Sequence, residues 1–269
     1  FEMIDTSKIA IVTTVFNFKL YRKTATLFPK EIDKIVIDGT NGMYGLNSIN
    51  YMFAKLKNKG YEWIIMADED VFFYDSDIVF DLINYMDKKD LDICGVRDGG
   101  VIQHRFHNPE AINTFFSVIN FKKINEKYNY REIKVFQRYL PELYLNKGYD
   151  FLEYSFDIKS LKEPYYCFYF WALLKDFKFL YLDTINPVGK DGIGNIILSP
   201  TGEKIAFHSW YARAFEVYED QTIRINSFLK DFEIENASID LKKILVYKKP
   251  FFNCKKRLLA RFKTIIKNK

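Results

Sequence analysis

Apolar and polar positions alternate in blocks along the first hundred residues, and the length of each block separates strands from helices. "KIAIVTTVF" (8–16), "KIVIDG" (34–39), "EWIIMA" (62–67) and "LDICGVR" (91–97) are short, β-branched and apolar, the pattern of buried strands. "NSINYMFAKLKNKG" (47–60) instead puts Ile49, Met52, Phe53 and Leu56 on one helical face and stops at Gly60. "DSDIVFDLINYMDKKD" (75–90) repeats that period, with Asp75 or Ser76 as its cap. The order strand, strand, helix, strand, helix, strand predicts an α/β fold with a mainly parallel sheet flanked by helices. Beyond it, 112–124 reads as a strand running into a helix, and 164–183 as a buried helix followed by a strand. Residues 125–163 show no clear period, and 187–213 read as loop-rich. One domain is expected over 1–240, with a separate tail over 241–269.

Ligands on parallel sheets bind at the carboxyl ends of the strands. Asp38 closes one predicted strand. In "WIIMADEDVFF" (63–73) another ends in Asp68-Glu69-Asp70, and apolar residues resume at once. Carboxylates at i and i+2 can turn to the same side and hold one hard divalent cation. A solvated turn is the competing reading. His208, in "KIAFHSWYAR" (204–213), could add an imidazole from a distant segment or be a satisfied structural residue, and Arg213 is near enough in sequence to reach phosphate oxygens. His104 and His107 lie in a predicted surface loop and carry no such expectation.

Composition narrows the classes. The three cysteines, Cys94, Cys167 and Cys254, are widely spaced with no metal-binding pattern, which fits a reducing compartment. The opening stretch lacks the features of a signal peptide, and no apolar run is long enough to span a membrane. Residues 241–269 hold eleven Lys/Arg and no acid, so the body carries 29 basic against 35 acidic residues. An acidic body argues against nucleic-acid binding. In the tail, Leu258, Leu259, Phe262, Ile265 and Ile266 form a helical stripe among lysines and arginines. This predicts a basic amphipathic helix, suited to an anionic membrane surface or to packing on the domain or a partner.

The ordered set "IAIVTTVFN", a strand ending in Asp38, "GTNGMYGLNSINYMF", "DED", "INTFFSVIN" and "FHSWYAR" resembles the nucleotide-sugar-dependent glycosyltransferases of the GT-A fold over residues 8–213. The resemblance implies a metal-dependent transferase, a hexosyltransferase of bacterial surface-polysaccharide type, using Mn2+ or Mg2+ and a UDP-sugar. Its acceptor would be a glycan or lipid-linked glycan, and its place the cytoplasm or the inner face of the plasma membrane. By the same resemblance Thr13, Thr14 and Phe16 border the base and ribose, Asp38 accepts a hydrogen bond from them, and Tyr44, Gly45 and Asn47 line the nucleotide pocket. Asp68 contacts ribose or metal, Asp70 the metal, and His208 is the late metal ligand. Glu163 is the nearest match to an inverting base and Asp157 the next, with Glu153 and Asp191 behind them. Glu163 before Pro164 also suits a helix start. The paired acids of many inverting relatives are missing, which leaves the stereochemical outcome open. Two other readings stand beside this one: a phosphatase of the haloacid dehalogenase type, which also carries D-x-D after a strand, and a non-catalytic sugar- or partner-binding module.

Overall fold

The computed structural model describes residues 4–142, 148–189 and 192–258. Its main sheet has seven strands in the order β11-β2-β1-β3-β6-β5-β7. They are β1 (Ile9–Val15), β2 (Asp33–Asp38), β3 (Trp63–Ala67), β5 (Ile93–Arg97), β6 (Ile112–Asn120), β7 (Phe179–Tyr181) and β11 (Leu245–Tyr247). All neighbours are parallel except β6, which runs antiparallel to both β3 and β5. The expected fold class, a mainly parallel sheet flanked by helices, is the one observed.

Side-chain alternation along the central strands builds two cores. Ala10, Val12, Ile35, Ile37, Ile64 and Met66 face one side, under α2 (Leu46–Leu56) and α6 (Tyr166–Leu174). Ile9, Ile11, Val36, Trp63 and Ile65 face the other, under α1 (Phe18–Thr24) and α3 (Asp77–Lys88). The α6 residues Tyr166–Ala172 are all buried, because a helix apolar on every side can sit only inside. Two short helices, α4 (Phe121–Lys127) and α5 (Tyr130–Val135), close that side. Helix α1, between the first two strands, was not visible in the apolar pattern. It supplies the crossover that lets β1 and β2 run parallel, and Asn17 caps it by accepting from the amides of Lys19 and Leu20.

A second sheet explains why apolar residues resume after the acids. The short strand β4 (Val71–Phe73) leaves the main sheet and pairs with β10 (Lys204–His208), followed by β9 (Gly194–Leu198) and β8 (Thr184–Val188), all antiparallel. The stretch 187–213 therefore carries the end of β8 and all of β9 and β10 between its loops. Gly202, at φ +86°, sits in the turn between β9 and β10, while Gly194 opens β9 itself. The helix α7 (Glu219–Asp231) covers this sheet through Ile225 and Leu229. Towards the C-terminus β11 zips along β2, so the main sheet extends past the expected boundary at 240. The predicted amphipathic helix falls mostly on residues 259–269, outside the described residues. No helix among the described residues is long and apolar enough to cross a membrane.

Candidate active site

The parallel strands β1, β2 and β3 end on the same side of the sheet, and a cavity of about 690 Å3 opens there. One flank is formed by Thr14 and Phe16 from the end of β1, Gly39, Tyr44, Gly45 and the first turns of α2. Asp68-Glu69-Asp70 lie at its floor, and the lining continues through Asn113 and Thr114, Glu163–Tyr165 and His208–Ala214, with Pro164 closing against Gly45 and Arg213 against Phe16 and Tyr44.

The three acids diverge as a strand end requires. Glu69 turns back into the protein, where its Oε1 accepts the amides of Phe16 at 2.9 Å and Asn17 at 3.0 Å. Asp68 opens toward the cavity. Asp70 is buried: its Oδ2 accepts the Ala212 amide at 3.2 Å, and its Oδ1 lies 3.3 Å from His208 Nε2. The sheet register produces that meeting. His208 pairs with Val71 across β10 and β4, which sets the imidazole beside the residue preceding Val71. Phe115 stacks on the imidazole at 4.2 Å, and Trp210 packs against it in a tilted arrangement, also at 4.2 Å, while touching Phe115. Trp210 and Tyr211 both have left-handed backbones, φ +63° and +64°, unusual for large side chains. This pair of residues turns the chain so that His208, Tyr211 and Arg213 all reach one cavity.

One ligand atom from each of Asp68, Asp70 and His208 lies within 4.8 Å of the others. Burial, and then repulsion from Glu69 and Asp70, push the Asp68 carboxyl well above the usual range, with Arg213 opposing. Burial and Asp70 likewise raise Glu69 to about 7 against the two amide donors. The His208 Nδ1 is buried with no hydrogen-bond partner among the described residues. Crowded carboxylates plus an imidazole suit a divalent cation with oxygen and nitrogen ligands, and a cation would relieve the repulsion that raises Asp68.

The other expected residues divide into two groups. Thr14, Phe16, Tyr44, Gly45, Asp68, Arg213 and Glu163 line the same cavity. The Arg213 guanidinium lies 5.0 Å from the Phe16 ring and 5.3 Å from the Tyr44 ring. Thr13 is fully buried on the alternate face of β1, and Asn47 and Asp38 are not among the lining residues. The Asp38 carboxylate instead accepts from the Thr40 amide at 3.0 Å and the Thr40 hydroxyl, and pairs with Lys248 at 3.2 Å. Burial alone would raise Asp38, but these partners hold it below the usual range. Asp157 is exposed beside a neighbouring cavity of about 740 Å3, which shares Trp210 and Tyr211 with the first. Glu153 is exposed and outside both cavities, and Asp191 lies outside the described residues.

Glu163 is held by a residue that sequence reasoning passed over. Arg105 donates to Glu163 Oε1 at 3.3 Å and forms a two-pronged pair with the fully buried Asp98 at 2.7 and 2.8 Å. Asp98 also accepts from Asn113 Nδ2 and from the hydroxyls of Tyr165 and Tyr166. The hub ties together the end of β5, the start of β6 and the segment carrying Glu163.

No family model matches the chain, and a search of curated proteins finds no match. Among solved structures, it is similar to a mannosyltransferase from Pyrobaculum calidifontis in complex with GDP-Man and Mn2+, at 6% identity and a TM-score of 0.30. That match covers 45% of this chain and 46% of the other, less than half its length. A glycosyltransferase involved in glycosylation of the major capsid of PBCV-1 is similar at 13% identity and a TM-score of 0.35, over 55% of this chain and 80% of that one. Mouse xyloside xylosyltransferase 1 in its apo form is similar at 10% identity and 0.37, over 66% and 85%. At these values none of them bears on the functional reading, which rests on the site itself.

Proposed function

We propose that the chain is a divalent-metal-dependent glycosyltransferase that moves a sugar from a nucleoside diphosphate sugar to an acceptor hydroxyl. The observation that carries this reading is the convergence of Asp68, Asp70 and His208 on the floor of a cavity whose flank is aromatic and cationic. Mn2+ or Mg2+ held by these three residues would supply Lewis-acid stabilisation of the departing diphosphate. Phe16 and Tyr44 offer flat faces to a nucleobase, and Arg213 between them is placed for diphosphate oxygens. Glu163 lines the same cavity, where a carboxylate can take the proton of an incoming hydroxyl. A UDP-hexose donor and a glycan or lipid-linked acceptor of the bacterial surface are the finer form of the proposal. They draw on the resemblance described above and on the basic tail.

The test is isothermal titration of UDP with and without Mn2+, on the wild-type chain and on Asp70→Asn. The variant keeps an oxygen for the Ala212 amide and removes a ligand charge. Binding that needs Mn2+ and weakens at least tenfold in the variant supports the proposal. Metal-independent binding, or none, overturns it, and phosphatase assays then test the rival enzyme class. Hydrolysis of a UDP-sugar separates an enzyme from a binding module.

A further inference from the structure

The basic C-terminal stretch does not leave the domain where the charge pattern suggests. The register of β11 on β2 sets Tyr247 beside Ile37. The next residue, Lys248, is thereby delivered to Asp38, with its ammonium 3.2 Å from Oδ2. From there the chain follows the 39–45 loop that joins β2 to α2. The Lys248 carbonyl accepts from the Tyr51 hydroxyl at 3.2 Å, and the Lys249 carbonyl from Asn41 Nδ2 at 2.6 Å. The Asn253 side chain lies against Gly42, where an added Cβ would meet it at 3.6 Å. Lys256 Nζ sits 5.2 Å from the centre of the Tyr44 ring.

The clasped loop also forms part of the cavity wall. It contributes Gly39, Tyr44 and Gly45 to the lining, while Gly42 and Gly45 sit at φ +86° and +57°. Glycines at positive φ lose the most conformational freedom when fixed, so contacts from outside add to the loop's own Gly42-to-Gly39 hydrogen bond and the buried Met43 in holding one shape. Residues 248–256 are the contact on its outer side. A loop already fixed spends less of its binding free energy on ordering when a ligand arrives.

We infer that residues 248–256 clamp the nucleotide end of the cavity, and that Lys248, Asn253 and Lys256 are positioning residues for the 39–45 loop. The seating of the clamp and nucleotide affinity are then linked, each strengthening the other. This rests on reading the cavity as a nucleotide site, while the clamping of the loop itself does not need a nucleotide to be tested.

The experiment is hydrogen exchange on the full chain, followed by titration with UDP at saturating Mn2+. In the absence of nucleotide, the double variant Lys248→Ala/Lys256→Ala should exchange faster than wild type across 39–45, with Lys248→Arg/Lys256→Arg restoring protection. UDP with Mn2+ should slow exchange of wild type in 248–256 as well as in 39–45. The alanine pair should bind UDP about tenfold more weakly, the scale of two modest surface contacts combined. Both positions are at the surface, and an unchanged urea midpoint confirms that the fold is intact. Equal exchange across 39–45 in wild type and the alanine pair overturns the inference. So does nucleotide protection that never reaches 248–256. If UDP does not bind wild type at all, the nucleotide reading fails, and the nucleotide-free comparison still decides the clamp.

Discussion

Replacing Glu69 by Gln separates the middle acid of the triplet from its neighbours. The Glu69 carboxyl is 5% exposed, and its Oε1 receives the amides of Phe16 and Asn17. A glutamine oxygen can receive both. What changes is the charge. Burial and Asp70 raise this group from 4.5 to about 7 in the folded chain, a difference of ~3 kcal/mol between its protonation states. The folded value lies above the unfolded one, so the group does not penalise the fold below about pH 4.5, and its cost grows as pH rises toward 7. In chelator-treated protein, Glu69→Gln should therefore be more stable than wild type, by under ~1 kcal/mol at pH 5 and by ~3 kcal/mol at pH 8. Urea unfolding at the two pH values measures this. Equal destabilisation at both would show that the charged acceptor is worth more to the two amides than its burial costs, and would refute the reasoning. The same variant should keep Mn2+-dependent UDP binding, since the Glu69 carboxyl is committed to the Phe16 and Asn17 amides and is not one of the three converging ligands.

The remaining predictions concern the walls of the site. Glu163→Gln should lower the transfer rate by ~10²- to 10⁴-fold with UDP affinity unchanged, because a general base acts on the acceptor and not on the donor; equal loss of UDP binding would instead make Glu163 a donor contact. Asp98→Ala strands Arg105 among buried partners and should cost ~3–5 kcal/mol in urea unfolding, against under ~1 kcal/mol for Lys8→Ala at an exposed pair. Gly45→Ala has room for its methyl, 3.8 Å from Pro164, but must hold φ +57°. With ψ at −135° as well, it should lose ~1–3 kcal/mol of stability and weaken UDP binding, and an unchanged midpoint would mean that the 39–45 loop relaxes freely.

The legible parts of this fold are those where one physical period dominates. β1, β2 and β3 are buried on both faces and read as unbroken apolar runs, while α2 and α3 carry clear helical stripes. Their order was enough to put Asp38 and the acidic triplet at strand ends. The second sheet was not legible, because its strands are three to five residues long and one holds Pro187. With it went the reason for the approach of His208 to Asp70, which depends on strand pairing between segments far apart in the chain. Asp38 reads as a free strand-end acid in sequence, yet β11 brings Lys248 to it from the far end of the chain. Asp98 and Arg105 sit on irregular backbone with no period to mark them, and only the folded chain shows that together they hold Glu163.

Asp68 stands at the last residue the acidic turn shares with the large sheet, while His208 ends a strand of the small one. The two layers touch through this turn, so a ligand bridging both residues would act as a rivet between them. Sliding one layer against the other would alter the spacing of the donor atoms before it disturbed any helix. Affinity for a small ion could thus serve as a gauge of alignment between two parts of the molecule. A substitution buried deep in either layer, far from any substrate, would then register first as a change in metal dependence.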